Sequence, residues 1–359
     1  MRQELLHASE IVLVTFIVSA IIMIFIKRIA IHVGAVDKPS RKEGHRHIHK
    51  KTIPKLGGVG IFLAFLAGYM LFGEQSIRMN SILIGSFIMI LTGIVDDIKP
   101  IKASQKFLGH IIAASVIVFY GGILLNDISA FGLSFDFGVF AYPITIFFIV
   151  ACANIINLID GLDGLSGGIC SIFFATISII AIYQGRYESL VLILSLIMLG
   201  STLGFLLHNF YPAKIFAGDC ATFMGFIIGV ITLLEFKGPA LISFFIPISI
   251  LGIPILDTLF AIIRRLLKGK PPFEADREHL HHQLLGMNFS HLTTVLIIYA
   301  IELLFALASI FYIIKDQQIG FIIYIVIFLI VVWFILHTSI ISDKSPKFTN
   351  KLKNKIIRK

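Results

Sequence analysis

Charged side chains are scarce in this sequence. Asp, Glu, Lys and Arg make up 14% of its 359 residues, against about 25% in ordinary soluble domains. So little polar material cannot clothe a water-soluble globule. Cysteine is scarce as well: Cys152, Cys170 and Cys220 have no paired spacing, which argues against a disulfide framework and a cysteine zinc site. No small-residue cleavage pattern follows the first apolar run, which ends at Lys27 and Arg28, so that run reads as a retained span and not as a signal peptide. No internal repeat stands out, which weighs against the inverted-repeat transporters. Nor does any serine sit in a nucleophile elbow, which argues against a Ser-His-Asp hydrolase.

What is abundant is hydrocarbon: 57% of the residues are hydrophobic, with 33 Phe. Apolar runs fall at about 8–29, 56–73, 80–95, 107–125, 138–153, 166–184, 189–207, 221–236, 239–263, 293–314 and 318–338, each able at ~1.5 Å per residue to cross or nearly cross a ~30 Å hydrocarbon core. The fifth is the shortest. This predicts an all-α polytopic integral membrane protein of about eleven spans, with a multi-span domain over 1–342 and a basic tail over 343–359. The formal charge of +9 does not point to nucleic acid, because the basic residues sit in blocks between spans. The connections 27–55, 96–106, 153–165, 208–220 and 264–292 and the tail hold every Lys and Arg except Arg2, Arg78, Arg186, Lys237 and Lys315. The positive-inside rule therefore places that set, and the C-terminus, in the cytoplasm and the N-terminus outside.

The same inner connections carry most of the polar chemistry. Asn154, Asn157, Asp160 and Asp163 recur at every third position in NIINLIDGLDGLSGG. On a helix that spacing gives a drifting stripe, or one row if the turn tightens; as turn chemistry, N-x-x-D-G would only cap the next span. Asp96-Asp97 ends the third span and is followed by Lys99, Lys102 and Lys106. Carboxylates at that level suit Mg²⁺, which takes one or two of them plus substrate phosphates. The alternative is a solvated pair offsetting nearby lysines. Asp219, with Lys214 five residues before it, is either a third acid of one site or the cap of the eighth span. The first inner loop, DKPSRKEGHRHIHKKTIPKLGG, joins Lys51 and other basic residues to His45, His47, His49 and Gly57-Gly58, a pattern for diphosphate or simply an anchor. Asp276, Arg277, His279, His281 and His282 form a cationic platform for phosphate and sugar oxygens better than a zinc cluster. Asp257 reads as a buried acid paired with Arg264 or Arg265.

Acids, amides and cations from five inner connections on one face fit a reaction between two phosphates, which needs neutralisation and in-line positioning more than a protein nucleophile. The blocks VDKPSRK…IPKLGG, GIVDDIK, NIINLIDGLDGLSGG, NFYPAKIFAGD, PILDTLFAIIRR and FEADREHLHHQLL, ordered from about residue 27 to about residue 300, resemble the polyprenyl-phosphate N-acetylhexosamine-1-phosphate transferases of glycosyltransferase family 4. Within that family the sequence is most similar to the bacterial undecaprenyl-phosphate N-acetylglucosamine-1-phosphate transferases that begin teichoic acid and other envelope polymers.

The resemblance implies a multi-pass protein of the bacterial plasma membrane with its active site on the cytoplasmic face. It implies Mg²⁺, or Mn²⁺ in its place, UDP-GlcNAc as donor, undecaprenyl phosphate as acceptor, and UMP and a lipid-diphosphate sugar as products. Asp96, Asp97, Asp160 and Asp163 match the catalytic acids, and Asp219 and Asp97 the metal contacts. Lys51, Lys106, Asn154, Asn157, Lys214, Arg277, His279, His281 and His282 are the substrate-binding candidates, and His45 or His49 matches the histidine of the first loop. Other expected partners are membrane lipid and a second copy in a homodimer, with no nucleic acid. After Gly218-Asp219 the family continues with a small residue and Gly-Ser, where this chain has Cys220-Ala221-Thr222. The rivals are a transferase for another UDP-N-acetylhexosamine and a transporter of a lipid-linked or anionic solute. A transporter favours charges near the midplane, whereas here the acids crowd the inner ends and Glu235 and Glu302 lie near outer ends.

Overall fold

The computed structural model describes residues 2–37, 52–130, 133–235, 251–267, 280–314 and 317–337. The chain divides into two units, Met1–Pro247 and Ile248–Lys359. The first unit contains α1 (Arg2–His32), α2 (Gly57–Phe72), α3 (Ile77–Ile98) and α4 (Ala103–Ser115), the last prolonged by a π-turn over Val116–Tyr120. It continues with α5 (Ala141–Ile159), α6 (Leu165–Tyr183), α7 (Leu190–Asn209) and α8 (Thr222–Glu235), which is entered through a 3₁₀ turn at Gly218–Ala221. Among the described residues two small antiparallel strand pairs form: β1 (Val36–Asp37) with β2 (Ile53–Pro54), and β3 (Asp127–Ala130) with β4 (Leu133–Asp136). In the second unit are α9 (Gly252–Leu267), α10 (Leu280–Gly286), α11 (His291–Ile314) and α12 (Gln317–His337).

Among the described residues, eight helical segments are long and apolar enough to cross a bilayer, which makes this a mostly helical, polytopic membrane protein. The expected second span is shorter, at 16 residues. Residues 239–250 of the expected ninth span lie outside the described residues, as do the basic tail and most of the first inner loop. The expected fifth span is longer than its apolar run: α5 continues through Asn154 and Asn157 to Ile159. Nothing in ANIINLI breaks a helix before Asp160-Gly161, so the two asparagines ride its last turns instead of lying in a loop.

The bundle is apolar outside as well as inside. On α1, Leu13, Ile17, Ile21 and Ile24 are exposed while Ile11, Met23, Ile26 and Ala30 are buried. A surface of this kind is one that lipid, not water, covers. Some hydroxyls inside the bundle bond one turn back: Thr15 Oγ1 donates to Ile11 O at 2.7 Å and Ser201 Oγ to Ile197 O at 2.8 Å. Ser19 Oγ also donates across to Ser201 O at 2.7 Å, joining α1 to α7. That close approach needs small residues; a methyl added at Gly204 would stand 2.6 Å from Phe16 O. Deeper in, Phe62 and Phe65 of α2 pack edge-on against Phe223 of α8 with centroids 5.6 Å apart.

The helices of the first unit alternate in direction. The C-terminal ends of α3, α5 and α7 and the N-terminal ends of α2, α4, α6 and α8 therefore share one face. At the opposite face, Arg186 before α7 pairs with the nearly buried Glu235 that ends α8.

Candidate active site

The site is built around the short segment before α8. Phe216 N donates to Pro54 O at 2.9 Å, Gly57 N to Phe216 O at 2.8 Å and Gly58 N to Ala217 O at 3.1 Å. The IPKLGG end of the first inner loop thus lies against residues 216–217 and leads straight into α2. Cys220 is clamped between helices, because a methyl added at Gly58 would come within 2.5 Å of it and one added at Gly93 within 2.8 Å. These contacts fix the 3₁₀ turn that carries Asp219.

Three carboxylates and two lysines meet at this turn. Asp97 accepts the Asp219 backbone N–H with both oxygens, at 3.1 and 3.0 Å. Asp96 Oδ1 accepts from Ile101 N at 2.9 Å, which folds the α3–α4 turn over the acid. Lys106 Nζ lies 2.7 Å from Asp96 Oδ2 and 2.6 Å from Asp219 Oδ2, bridging the two helix ends. Asn157 Nδ2 reaches the other Asp219 oxygen at 3.4 Å, and Lys55 Nζ stands 4.0 Å from Asp97 Oδ1. Asp219 is therefore no mere helix cap: its carboxylate turns toward Lys106 and Asn157. Asp96 and Asp97 are buried, at 9% exposure each, and charges so withdrawn from water persist only when paired like this.

The stretch 154–168 splits into two roles. Ser166 Oγ donates to Asp160 Oδ1. Burial, with lesser contributions from Asp97 and Asp163, pushes the Asp160 carboxyl up to about 6, although the Ser166 hydrogen bond and Lys55 pull it down. Asp163 is buried and its Oδ2 accepts from Ala213 N at 2.9 Å, holding the segment after α7. Asn209 completes that link: its Oδ1 accepts from Gly164 N at 3.0 Å and its Nδ2 donates to Ile215 O at 2.9 Å. Asn154 Nδ2 bonds Val150 O at 2.7 Å and approaches His110 Nδ1 at 3.4 Å.

Of the residues singled out from sequence, Asp96, Asp97, Lys106, Asn157, Asp160 and Asp219 surround this turn, with Asn154 one helical turn further in. Lys214 lines a groove of about 530 Å³ with Phe16, Leu203, Leu207 and Tyr211. Lys51, Arg277 and His279, and His45, His47 and His49, lie outside the described residues; for His281 and His282 the structure describes only backbone, in α10. Sequence reasoning did not single out Lys55, His110, Ser166 or Asn209. His110 was within reach, one turn after Lys106 on the same helix face. At the departure Cys220-Ala221-Thr222, the first two are fully buried and Thr222 Oγ1 donates to Asp219 O at 2.8 Å, so the hydroxyl braces the turn.

These residues fit a hard divalent cation. The donors are all carboxylate oxygens, and a cation, the Lys106 ammonium, already stands between two of them. Among the described residues no three metal-binding side chains close a cage around one point. Mg²⁺ takes one or two carboxylates and completes its shell with substrate phosphates.

The chain matches known proteins throughout its length. Residues 79–235 match the model of glycosyl transferase family 4. The chain is 41% identical to the probable undecaprenyl-phosphate N-acetylglucosaminyl 1-phosphate transferase of Bacillus subtilis (strain 168), over 97% of this chain and 98% of the relative. It is 31% identical to the decaprenyl-phosphate N-acetylglucosaminephosphotransferase of Mycolicibacterium smegmatis, over 77% of this chain and 74% of that one. With the undecaprenyl-phosphate alpha-N-acetylglucosaminyl 1-phosphate transferase of Escherichia coli (strain K12) it shares 28% identity, over 80% of this chain and 79% of the other.

Proposed function

This chain belongs to glycosyl transferase family 4, and from that premise we propose that it transfers N-acetylglucosamine 1-phosphate from UDP-GlcNAc to undecaprenyl phosphate at the cytoplasmic face of the bacterial plasma membrane. The observation that carries the proposal is the Lys106 bridge between Asp96 and Asp219, which gathers acids and a cation from the ends of α3, α4 and α8 at one face. Phosphoryl transfer asks for such charge placement, not for a covalent nucleophile. A transporter would place its charges along a path through the bundle; Glu302, expected near an outer end, instead lies buried at the middle of α11, so the preference for an enzyme rests on the Lys106 cluster and not on a lack of mid-span acids. Eleven spans, an outside N-terminus, a cytoplasmic C-terminus and entry into teichoic acid synthesis belong to the same proposal; the inner-connection charge bias supports the topology.

In the reaction, an oxygen of the acceptor phosphate forms a bond to the sugar-linked phosphorus of UDP-GlcNAc. The bond between that phosphorus and the bridging oxygen of UMP breaks, and UMP leaves. Asp219 and Asp97 would hold Mg²⁺, or Mn²⁺, which shares the preference for oxygen ligands. When bound, the ion neutralises charge on the diphosphate. Lys106 and Lys55 neutralise phosphate at the same level, Asn157 steadies Asp219, and Asp163 holds the segment after α7. Lys51 and Lys214 are the substrate-binding candidates of the first unit, and Arg277, His279, His281 and His282 those of the second. Asp160 takes the acceptor's last phosphate proton. Its carboxyl, raised to about 6, matches the second ionisation of a phosphate monoester, near ~6, so the transfer is nearly level in energy.

Purified protein in detergent with undecaprenyl phosphate, Mg²⁺ and labelled UDP-GlcNAc should yield lipid-linked label and UMP in equal amounts. Folded protein that yields neither would refute the proposal. Asp160 gives a second measurement. Its carboxyl is higher in the folded chain than its ordinary 3.8, so between pH ~4 and ~6 the folded state keeps a proton that the unfolded state has lost, and stability falls as pH rises through that window. Asp160→Asn lacks this loss. Its Tm relative to the parent should therefore rise from pH 4.5 to pH 7, while its transfer rate drops; a Tm gap independent of pH would contradict the assignment.

A further inference from the structure

One helical turn from the carboxylates, α4 and α5 share a second polar contact that the chemistry above does not use. Lys106 of α4 and Asn157 of α5 both reach Asp219. His110 stands four residues after Lys106, and Asn154 three before Asn157. Each therefore lies on the same helix face as its neighbour in the site. His110 is 4% exposed and Asn154 is half-buried. Asn154 Nδ2 and His110 Nδ1 meet at 3.4 Å.

The hydrogen bonds at this contact admit one arrangement of protons. Val150 O lies 2.7 Å from the same atom of Asn154. A carbonyl oxygen only accepts, so that atom is the amide nitrogen and not the amide oxygen. One of its two hydrogens goes to Val150 and the other to His110, whose Nδ1 therefore carries no proton. The ring is neutral, with its proton on Nε2. Both Asn154 hydrogens are thus committed within the protein. Its Oδ1 is left, with no partner among the described residues. An amide that in isolation both gives and takes hydrogen bonds is reduced here to an acceptor.

We infer that His110 is a positioning residue that holds Asn154 in this orientation, and that Asn154 Oδ1 receives an N–H or O–H of the sugar nucleotide. This rests on the proposed function, which makes UDP-GlcNAc the donor. Phosphate oxygens are themselves acceptors, which removes the diphosphate and the ionised acceptor phosphate as partners. The polyprenyl chain has no polar hydrogen. Hydroxyl and amide hydrogens are supplied only by the uracil, ribose and acetamido sugar of the donor. The pair therefore acts on donor binding and leaves the acceptor lipid untouched.

The test uses full-length protein in detergent with undecaprenyl phosphate, Mg²⁺ and UDP-GlcNAc. In His110→Gln the side-chain carbonyl takes the Asn154 hydrogen in place of Nδ1, so the KM for UDP-GlcNAc should stay within about twofold of the parent. His110→Leu removes the acceptor. Its KM for UDP-GlcNAc should rise roughly tenfold, the scale of one hydrogen bond, with kcat and the KM for undecaprenyl phosphate unchanged. On an Asn154→Ala background His110→Leu should add nothing further, since the two residues act through one contact. An unchanged donor KM in His110→Leu, a loss confined to kcat or to the lipid KM, or His110→Gln behaving like His110→Leu would overturn the inference. Should His110→Leu fail to fold, Asn154→Ala and ring-nitrogen NMR of isotope-labelled histidine decide. Asn154→Ala should raise the donor KM alone. The ring signal missing from His110→Gln should be that of the neutral Nε2–H form; an imidazolium or Nδ1–H signal, or a normal donor KM, refutes the role. A parent that transfers no GlcNAc phosphate fails the proposed function itself, whereas an active parent with an unaffected His110→Leu fails only this inference.

Discussion

Asp219→Asn is expected to lower GlcNAc-phosphate transfer by about 10²- to 10³-fold, the range seen when one preorganised electrostatic group is removed from a phosphate or oxyanion site, while leaving the fold in place. The expectation follows from how the two halves of this residue are used. Its backbone N–H goes to Asp97 and its backbone carbonyl takes the Thr222 hydroxyl, and both bonds survive the substitution. Only the carboxylate changes. It loses the charge that draws Lys106 to 2.6 Å, and it becomes a poor ligand for a divalent cation. Lys106 then remains with Asp96 alone. UMP release measured beside the thermal unfolding curve separates chemistry from folding. A near-normal rate in Asp219→Asn would reduce the residue to the start of α8 and remove the centre of the proposed site.

Much of this site is legible in the sequence because its parts sit at helix ends, where apolar runs stop. Asp96-Asp97, Lys106, Asn157 and Asp219 are all polar residues that interrupt hydrocarbon on one side of the membrane. What spacing does not tell is the direction of each side chain. Asp160 and Asp163 look equivalent in IDGLDG, yet Asp160 is held by Ser166 beside the acids while Asp163 is spent on the Ala213 amide. The difference arises because α5 ends at Ile159 and α6 begins at Leu165, so the two acids stand on opposite sides of a turn. Asn209 is invisible in the sequence for a related reason: its partners, Gly164 and Ile215, are brought together only by the packing of α6 and α7. Lys55 looks like one basic residue among many until the pairing of Pro54 and Gly57 with Phe216 places it beside Asp97. Span number is legible only coarsely, since runs of 16 to 31 residues all read as apolar.

Gly218→Ala should inactivate the protein as thoroughly as the loss of an acid, although it removes no functional group. Gly218 has φ +71°, and a methyl there would lie 2.3 Å from Asp97 Oδ2 and 2.7 Å from Oδ1. Two effects are combined: left-handed strain for a residue with a side chain, worth about 1–2 kcal/mol, and displacement of the carboxylate that receives Asp219 N–H. Gly185, at the opposite face between α6 and α7, separates them. It has φ +70° and a methyl added there would meet nothing within 4 Å, so Gly185→Ala carries the strain without the collision. Gly185→Ala should therefore lower Tm slightly and keep near-parental transfer, whereas Gly218→Ala should lose roughly 10²-fold in kcat/KM or more. Equal, small effects on transfer in both variants would mean that Asp97 can move without consequence, and that its two bonds to the Asp219 amide do not set the geometry on which the reaction depends.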